Sequence, residues 1–98
     1  MFKLVQYQVK IEKIEENQRL IADVFRELAA KAPTDVEYLV FQLDDGTFCH
    51  LVSDPSDTLK TLKAFAAFQH HGETRRLTVP VQNRAGIIGS YPFAVERR

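Results

Sequence analysis

Apolar and polar residues alternate near the start of the chain. Val5, Tyr7 and Val9 fall on one face and Gln6 and Gln8 on the other, the two-residue period of a strand. A charged stretch follows at residues 12–16. Leu20, Ile21, Val24, Phe25 and Leu28 then recur at helical spacing, with Asp23, Arg26, Glu27 and Lys31 mainly opposite. Acids near the start and Lys31 near the end suit the helix dipole, and Pro33 predicts the stop. Residues 36–53 predict a β-hairpin around Asp44-Asp45-Gly46-Thr47, with Asp45-Gly46 as the centre of a type I′ turn. That register pairs Leu43 with Phe48, Phe41 with His50 and Leu39 with Val52 on one face. Gln42 then pairs with Cys49, Val40 with Leu51 and Tyr38 with Ser53 on the other.

Asp54-Pro55-Ser56-Asp57 reads as a second helix start, with Asp54 as N-cap and Pro55 in the first turn. Leu59, Leu62, Phe65, Ala66 and Gln69 form its stripe, with Phe68 beside it, and the helix is expected to end near Gly72. Residues 74–84 are less regular, and Pro80 argues against a central strand there. The last strand is expected at 85–91, carried by Ile87, Ile88 and Tyr91, with Pro92 ending it. The order β-α-β-β-α-β is the ferredoxin-like α+β arrangement: two helices on one face of a four-stranded antiparallel sheet. Both hairpin faces are substantially apolar, so something must cover the sheet face away from the helices. A symmetric homodimer supplies that cover most simply; residues 74–84 of the same chain are the alternative.

Composition narrows the function classes. The 98 residues are one domain's worth, taken as 1–98. Thirteen basic and thirteen acidic residues leave a net charge of +0, so no general affinity for nucleic acid or an acidic membrane is indicated. One cysteine excludes an intrachain disulfide. No apolar run approaches a membrane span and the first residues lack a signal peptide's apolar core, so a cytoplasmic protein is expected. Nucleophile-elbow, Walker A and dinucleotide-binding motifs are absent, and no cofactor is expected.

The β-α-β-β-α-β order, Leu43-Asp44-Asp45-Gly46-Thr47-Phe48, Ala64-Phe65-Ala66-Ala67-Phe68 and Ile88-Gly89-Ser90-Tyr91 together resemble the dimeric α/β-barrel superfamily. The branch is the one related to antibiotic biosynthesis monooxygenases. The resemblance implies two ferredoxin-like protomers packed sheet to sheet. It also implies a chemistry drawn from cofactor-independent oxidation of aromatic polyketides, haem degradation or quinone modification. The haem-degrading branch resembles a pattern of Asn, Trp and His, whereas this chain has no Trp and offers Gln6 and Gln8 in its first strand. No catalytic residue is carried over.

His50 is the leading candidate for chemistry. The expected register places it with Phe41 and Phe48, so if that face lines a cavity His50 is a titratable group among aromatic rings. Burial favours neutral imidazole, which can accept a proton from an acidic carbon or phenol. The alternative is a histidine hydrogen-bonded to a neighbouring strand side chain or to the partner of a dimer. Gln6, Gln8 and Ser90 are candidate ligand contacts in predicted strands, or partners of one another across a dimer. Tyr7, Tyr38 and Tyr91 can offer a phenol, with core packing the simpler role for at least two. Adjacent helical residues point about 100° apart, so His70-His71 is a poor metal clamp and no metal site is expected. Cys49 faces away from His50, which disfavours a Cys-His pair. Residues 73–76 and Glu96-Arg97-Arg98 read as solvated charge; if residues 74–84 form a lid, Arg75 or Arg76 can steer an anionic ligand.

Two function classes follow. The first is a cofactor-independent monooxygenase-like enzyme acting on a small aromatic or quinone-like molecule. The second is a non-catalytic homodimer that binds a small hydrophobic ligand or uses its sheet only for assembly.

Overall fold

The computed structural model describes residues 1–92. The triad Glu96-Arg97-Arg98 lies outside the described residues. Strand β1 runs Phe2–Gln8, helix α1 Ile14–Lys31, strands β2 and β3 Glu37–Gln42 and Thr47–Ser53, helix α2 Lys63–Gln69, and strand β4 Val81–Ala85. The sheet is antiparallel in the order β2-β3-β1-β4, so β1 and β3 are central, and the ferredoxin-like order expected from the pattern is present.

The inward period of β1 is as expected: Tyr7 and Val9 are buried, and Val5 packs against them. Helix α1 lays Ile21 and Val24 on the core, with Ile14, Phe25 and Leu28 beside them. It stops where Ala32 takes a left-handed conformation and donates its N–H to the Leu28 carbonyl, one residue before Pro33. Helix α2 has no side-chain cap of its own. Glu27 of α1 reaches across instead, accepting from the N–H groups of Lys63 and Ala64 at 3.3 and 2.8 Å. Two of α2's orphan donors are thereby satisfied by the neighbouring helix.

Three expectations need correction. The hairpin register is one residue off: Tyr38 pairs with Val52, Val40 with His50, Phe41 with Cys49 and Gln42 with Phe48. The loop is Asp44-Asp45-Gly46 rather than two residues, because Gly46 at φ 86° closes a turn in which its N–H bonds Leu43 and the Leu43 N–H bonds Thr47. The Asp45 carboxylate holds the Thr47 N–H at 3.0 Å and favours this three-residue form. The second helix does not begin at Pro55. Asp54 instead accepts from the N–H groups of Thr58 and Leu59, starting a 3₁₀ turn at Thr58–Thr61, and left-handed Asp57 and extended Leu62 interrupt any continuous helix before Lys63. The last strand is Val81–Ala85, not 85–91. Pro80 immediately precedes this edge strand, where a missing N–H costs no ladder bond.

The corrected register sorts the sheet. Tyr38, Val40, Phe48, His50, Val52, Val5 and Tyr7 share the helix-facing side, and Leu4, Gln6, Leu39, Phe41, Cys49, Leu51 and Val81 share the open side. The open side keeps Phe41 and Val81 exposed. Residues 75–78 do not hang free of the sheet. Arg76 bridges Val9, the Arg75 carbonyl accepts from Lys10, and Leu77 donates to Gln8.

Candidate functional site

A cleft of about 900 Å³ opens between the helix-facing side of the sheet and α2. Val5, Tyr7, Tyr38, His50 and Val52 form its sheet wall; Phe65, Phe68 and Leu59 face them; Lys3, Arg76 and Gln82 stand among its polar lining. The strand period aims the first set inward, and the 3₁₀ turn and α2 bring the second set over it.

His50 sits in this wall only 5% exposed, and both of its ring nitrogens are engaged. Its Nε2 lies 2.7 Å from the Tyr7 hydroxyl and its Nδ1 2.7 Å from the Tyr38 hydroxyl. Asn17 Nδ2 donates to the Tyr7 hydroxyl at 3.2 Å, and Arg75 Nε donates to Asn17 Oδ1 at 2.9 Å. The result is one chain of side chains, Arg75–Asn17–Tyr7–His50–Tyr38, running from the core to the cleft. Rings pack along it: Phe48 stacks on Tyr7 at 5.9 Å between centroids, and Phe68 lies 5.6 Å from His50.

Burial sets the protonation states. Desolvation lowers the His50 pKa to about 4, so the imidazole is neutral at pH 7. Desolvation raises Tyr7, partly offset by the Asn17 hydrogen bond and by Arg75 and Arg76. Desolvation, with Tyr7 adding to it, holds Tyr38 well above the ordinary phenol range. Both tyrosines therefore keep their hydroxyl protons at pH 7. Arg75 is 3% exposed and hydrogen-bonds only neutral groups, Asn17 Oδ1 and the carbonyls of Phe68 and His70, while its guanidinium lies over the Phe68 ring. Among the described residues it has no carboxylate partner.

His50 lines the cleft, and Phe48 lies behind it in the core against Tyr7. Phe41 is on the open face, contrary to the expected pairing with His50, because of the one-residue register change. Gln6 is also on that face, with Nε2 3.5 Å from Cys49 Sγ. Gln8 donates to the Asp45 carbonyl at an exposed position, and Ser90 is exposed outside any strand. Tyr7 and Tyr38 stand in the wall, whereas Tyr91 is 87% exposed. Arg75 is buried rather than solvated, and His70 and His71 are exposed beyond α2. No group of three or more His, Cys, Asp or Glu able to hold a metal occurs among the described residues. No helix there is long and apolar enough to cross a membrane.

Sequence reasoning passed over Asn17 and read Arg75 as solvated charge or as a ligand-steering residue rather than as part of this chain. A signal for Asn17 was available: it lies on the stripe Ile14-Asn17-Ile21-Val24-Leu28, and a polar residue on an apolar stripe is informative. Arg75 carried no such signal, because its burial depends on where residues 72–77 are tied to β1.

No family description and no curated protein matches the chain. Solved structures do. The Mycobacterium tuberculosis protein Rv0793 superposes with a TM-score of 0.71 at 8% identity, over 92% of this chain and 97% of that one. A Caulobacter crescentus CB15 protein, provisionally named an antibiotic biosynthesis monooxygenase, gives 0.67 at 18% identity over 84% and 83%. A conserved protein from Methanosarcina mazei Go1 gives 0.66 at 19% over 84% and 87%. At such identities the likeness speaks to architecture. The chain has the ferredoxin-like α+β fold shared by antibiotic biosynthesis monooxygenase-like structures.

Proposed function

We propose that the chain takes a small aromatic or quinone-like molecule into the cleft and oxidises it as a cofactor-independent monooxygenase-like protein. The observation that carries this reading is the cleft: about 900 Å³, walled by Val5, Val52, Phe65 and Phe68, with the Tyr38–His50–Tyr7 chain in its sheet wall. That volume and that mixture of apolar wall and few polar groups suit a small-ligand site. The fold shared with a structure named for antibiotic biosynthesis monooxygenases supports the reaction class. In such a reaction the substrate supplies the electrons. A ring methylene loses two hydrogens, one oxygen atom of O₂ becomes the new carbonyl oxygen, and the other leaves with both hydrogens as water. His50 acts through Tyr38, holding its hydroxyl at the substrate oxygen.

Oxygen uptake with a panel of anthrones, which carry the ring methylene this step needs, tests this, with hydroquinones (oxidised to quinones without gaining an oxygen atom) as the comparison. The parent should consume oxygen with at least one compound, and His50→Ala should lose at least about tenfold of that rate, the worth of the one hydrogen bond that aims the Tyr38 hydroxyl. No turnover with any compound, or equal turnover by a folded variant, removes the reading. Binding without turnover is favoured by one observation: both ring nitrogens of His50 are occupied, so it offers no free base to the cleft.

The same reading includes a homodimer. Leu4, Leu39, Phe41, Leu51 and Val81 make the open sheet face apolar, and a second copy laid sheet to sheet would cover them.

A further inference from the structure

The hydrogen-bond chain has a fixed direction. Arginine is a donor only, so Arg75 Nε requires the oxygen of the Asn17 amide to face it. The Asn17 NH₂ must then point at Tyr7 and donate to its hydroxyl. Tyr7 therefore spends its own proton on the remaining partner, His50 Nε2, which accepts. A neutral imidazole carries its single proton on the other nitrogen, so Nδ1 donates to the Tyr38 oxygen. The Tyr38 hydroxyl thus accepts from His50, its one hydrogen-bond partner among the described residues, which leaves its own proton to give. Tyr38 borders the cleft.

We propose that Arg75 and Asn17 polarise this chain so that Tyr38 presents a hydrogen-bond donor to the cleft, selecting ring compounds that carry an acceptor oxygen (a ketone, a quinone or a phenolate) over ring compounds that carry only a donor. The inference rests on the cleft being a ring-binding site and names the chemistry that it selects. The positive charge of Arg75 at the inner end favours the same orientation, because each dipole in the chain points its hydrogen toward the ligand. A developing negative charge on the ligand oxygen is stabilised through four hydrogen bonds without any residue changing its protonation state.

Two measurements test this, neither needing turnover. In ¹⁵N-resolved histidine spectra of the parent near neutral pH, His50 should be protonated at Nδ1 and bare at Nε2. In calorimetric titrations, indanone (a carbonyl acceptor) should bind about tenfold more tightly than indole (an N–H donor of similar size), the worth of one satisfied against one unsatisfied hydrogen bond. Tyr38→Phe should bring the two affinities together. Asn17→Asp, nearly isosteric, supplies two acceptor oxygens. Tyr7 then donates to Asp instead, the imidazole proton moves to Nε2, and Tyr38 turns its proton to Nδ1. That variant should switch the tautomer and favour indole. Protonation of parent His50 at Nε2 would overturn the inference. So would indanone binding no tighter than indole, including neither binding, or a folded Tyr38→Phe variant that keeps the parent preference. A parent preference that Tyr38→Phe abolishes, with no oxygen uptake, supports it and removes only the oxygenase reading. Oxygen uptake with no preference does the reverse.

Discussion

Acidification should remove a defined part of this protein's stability through His50 alone. An unfolded imidazole titrates near about 6.5, whereas burial lowers folded His50 to about 4. Between those values the unfolded chain binds a proton that the folded chain refuses, so stability rises with pH across the window. The contribution is fully present above the unfolded value and is lost as pH falls toward about 4. The gap of about 2.5 units is worth roughly 3 kcal/mol in full, and about 2.5 kcal/mol on going from about pH 7.5 to about pH 4.5. The assay is urea denaturation at both values for the parent and for His50→Gln, which keeps a donor and an acceptor but does not titrate. Glu27 and Asp45, whose carboxyls are lowered by hydrogen bonds from Ala64 and Thr47 respectively, contribute equally to both proteins and drop out of the difference. The parent should lose about 2.5 kcal/mol more than the variant. Parallel losses would refute a neutral, desolvated His50.

Other perturbations test the supports of the site. Arg75→Met leaves Asn17 Oδ1 and the Phe68 carbonyl without their buried donor, and should cost about 3 kcal/mol in urea denaturation; a loss under about 0.5 kcal/mol would contradict the role given to that side chain. Gly46→Ala meets no close atom, its nearest being Val9 O at 3.5 Å, but must hold φ near 86°. It should cost about 1 kcal/mol from backbone strain, seen as a lower Tm, and an unchanged Tm would mean that the hairpin adopts another loop. Light scattering after size exclusion should find the parent dimeric and Phe41→Arg shifted toward monomer; a monodisperse parent monomer at low micromolar concentration would exclude sheet-to-sheet assembly.

The sequence pattern made β1, α1 and the ferredoxin-like order legible because each buries one face with a clear period. The hairpin was legible as a hairpin but not in register. Asp45-Gly46 suits a two-residue turn by propensity, and the choice of three residues depends on the carboxylate of Asp45 and the left-handed Gly46. That single residue moved Phe41 away from His50 and brought Tyr38 and Val40 to the helix side. β4 was misplaced because its polar residues suit an edge, while Ile87 and Ile88 attracted the expectation although both are exposed. His50 was recognisable as a buried titratable group. The alternative of a bond to a neighbouring strand is what the fold contains, through Tyr7 in β1 and Tyr38 in β2. Which side chains extend the chain was not legible, because Asn17 in α1 and Arg75 after α2 meet them only in the folded protein.

Both proposals require that ligand enter between the sheet and α2 and meet Tyr38, rather than lie on the open sheet face. Chemical-shift mapping during titration with indanone tests this most directly. The expected result is saturable shifts at Tyr38, His50, Val52 and Phe68, with the open-face residues Leu4, Phe41 and Leu51 unmoved. Shifts confined to the open face, or none at saturating ligand, would contradict it.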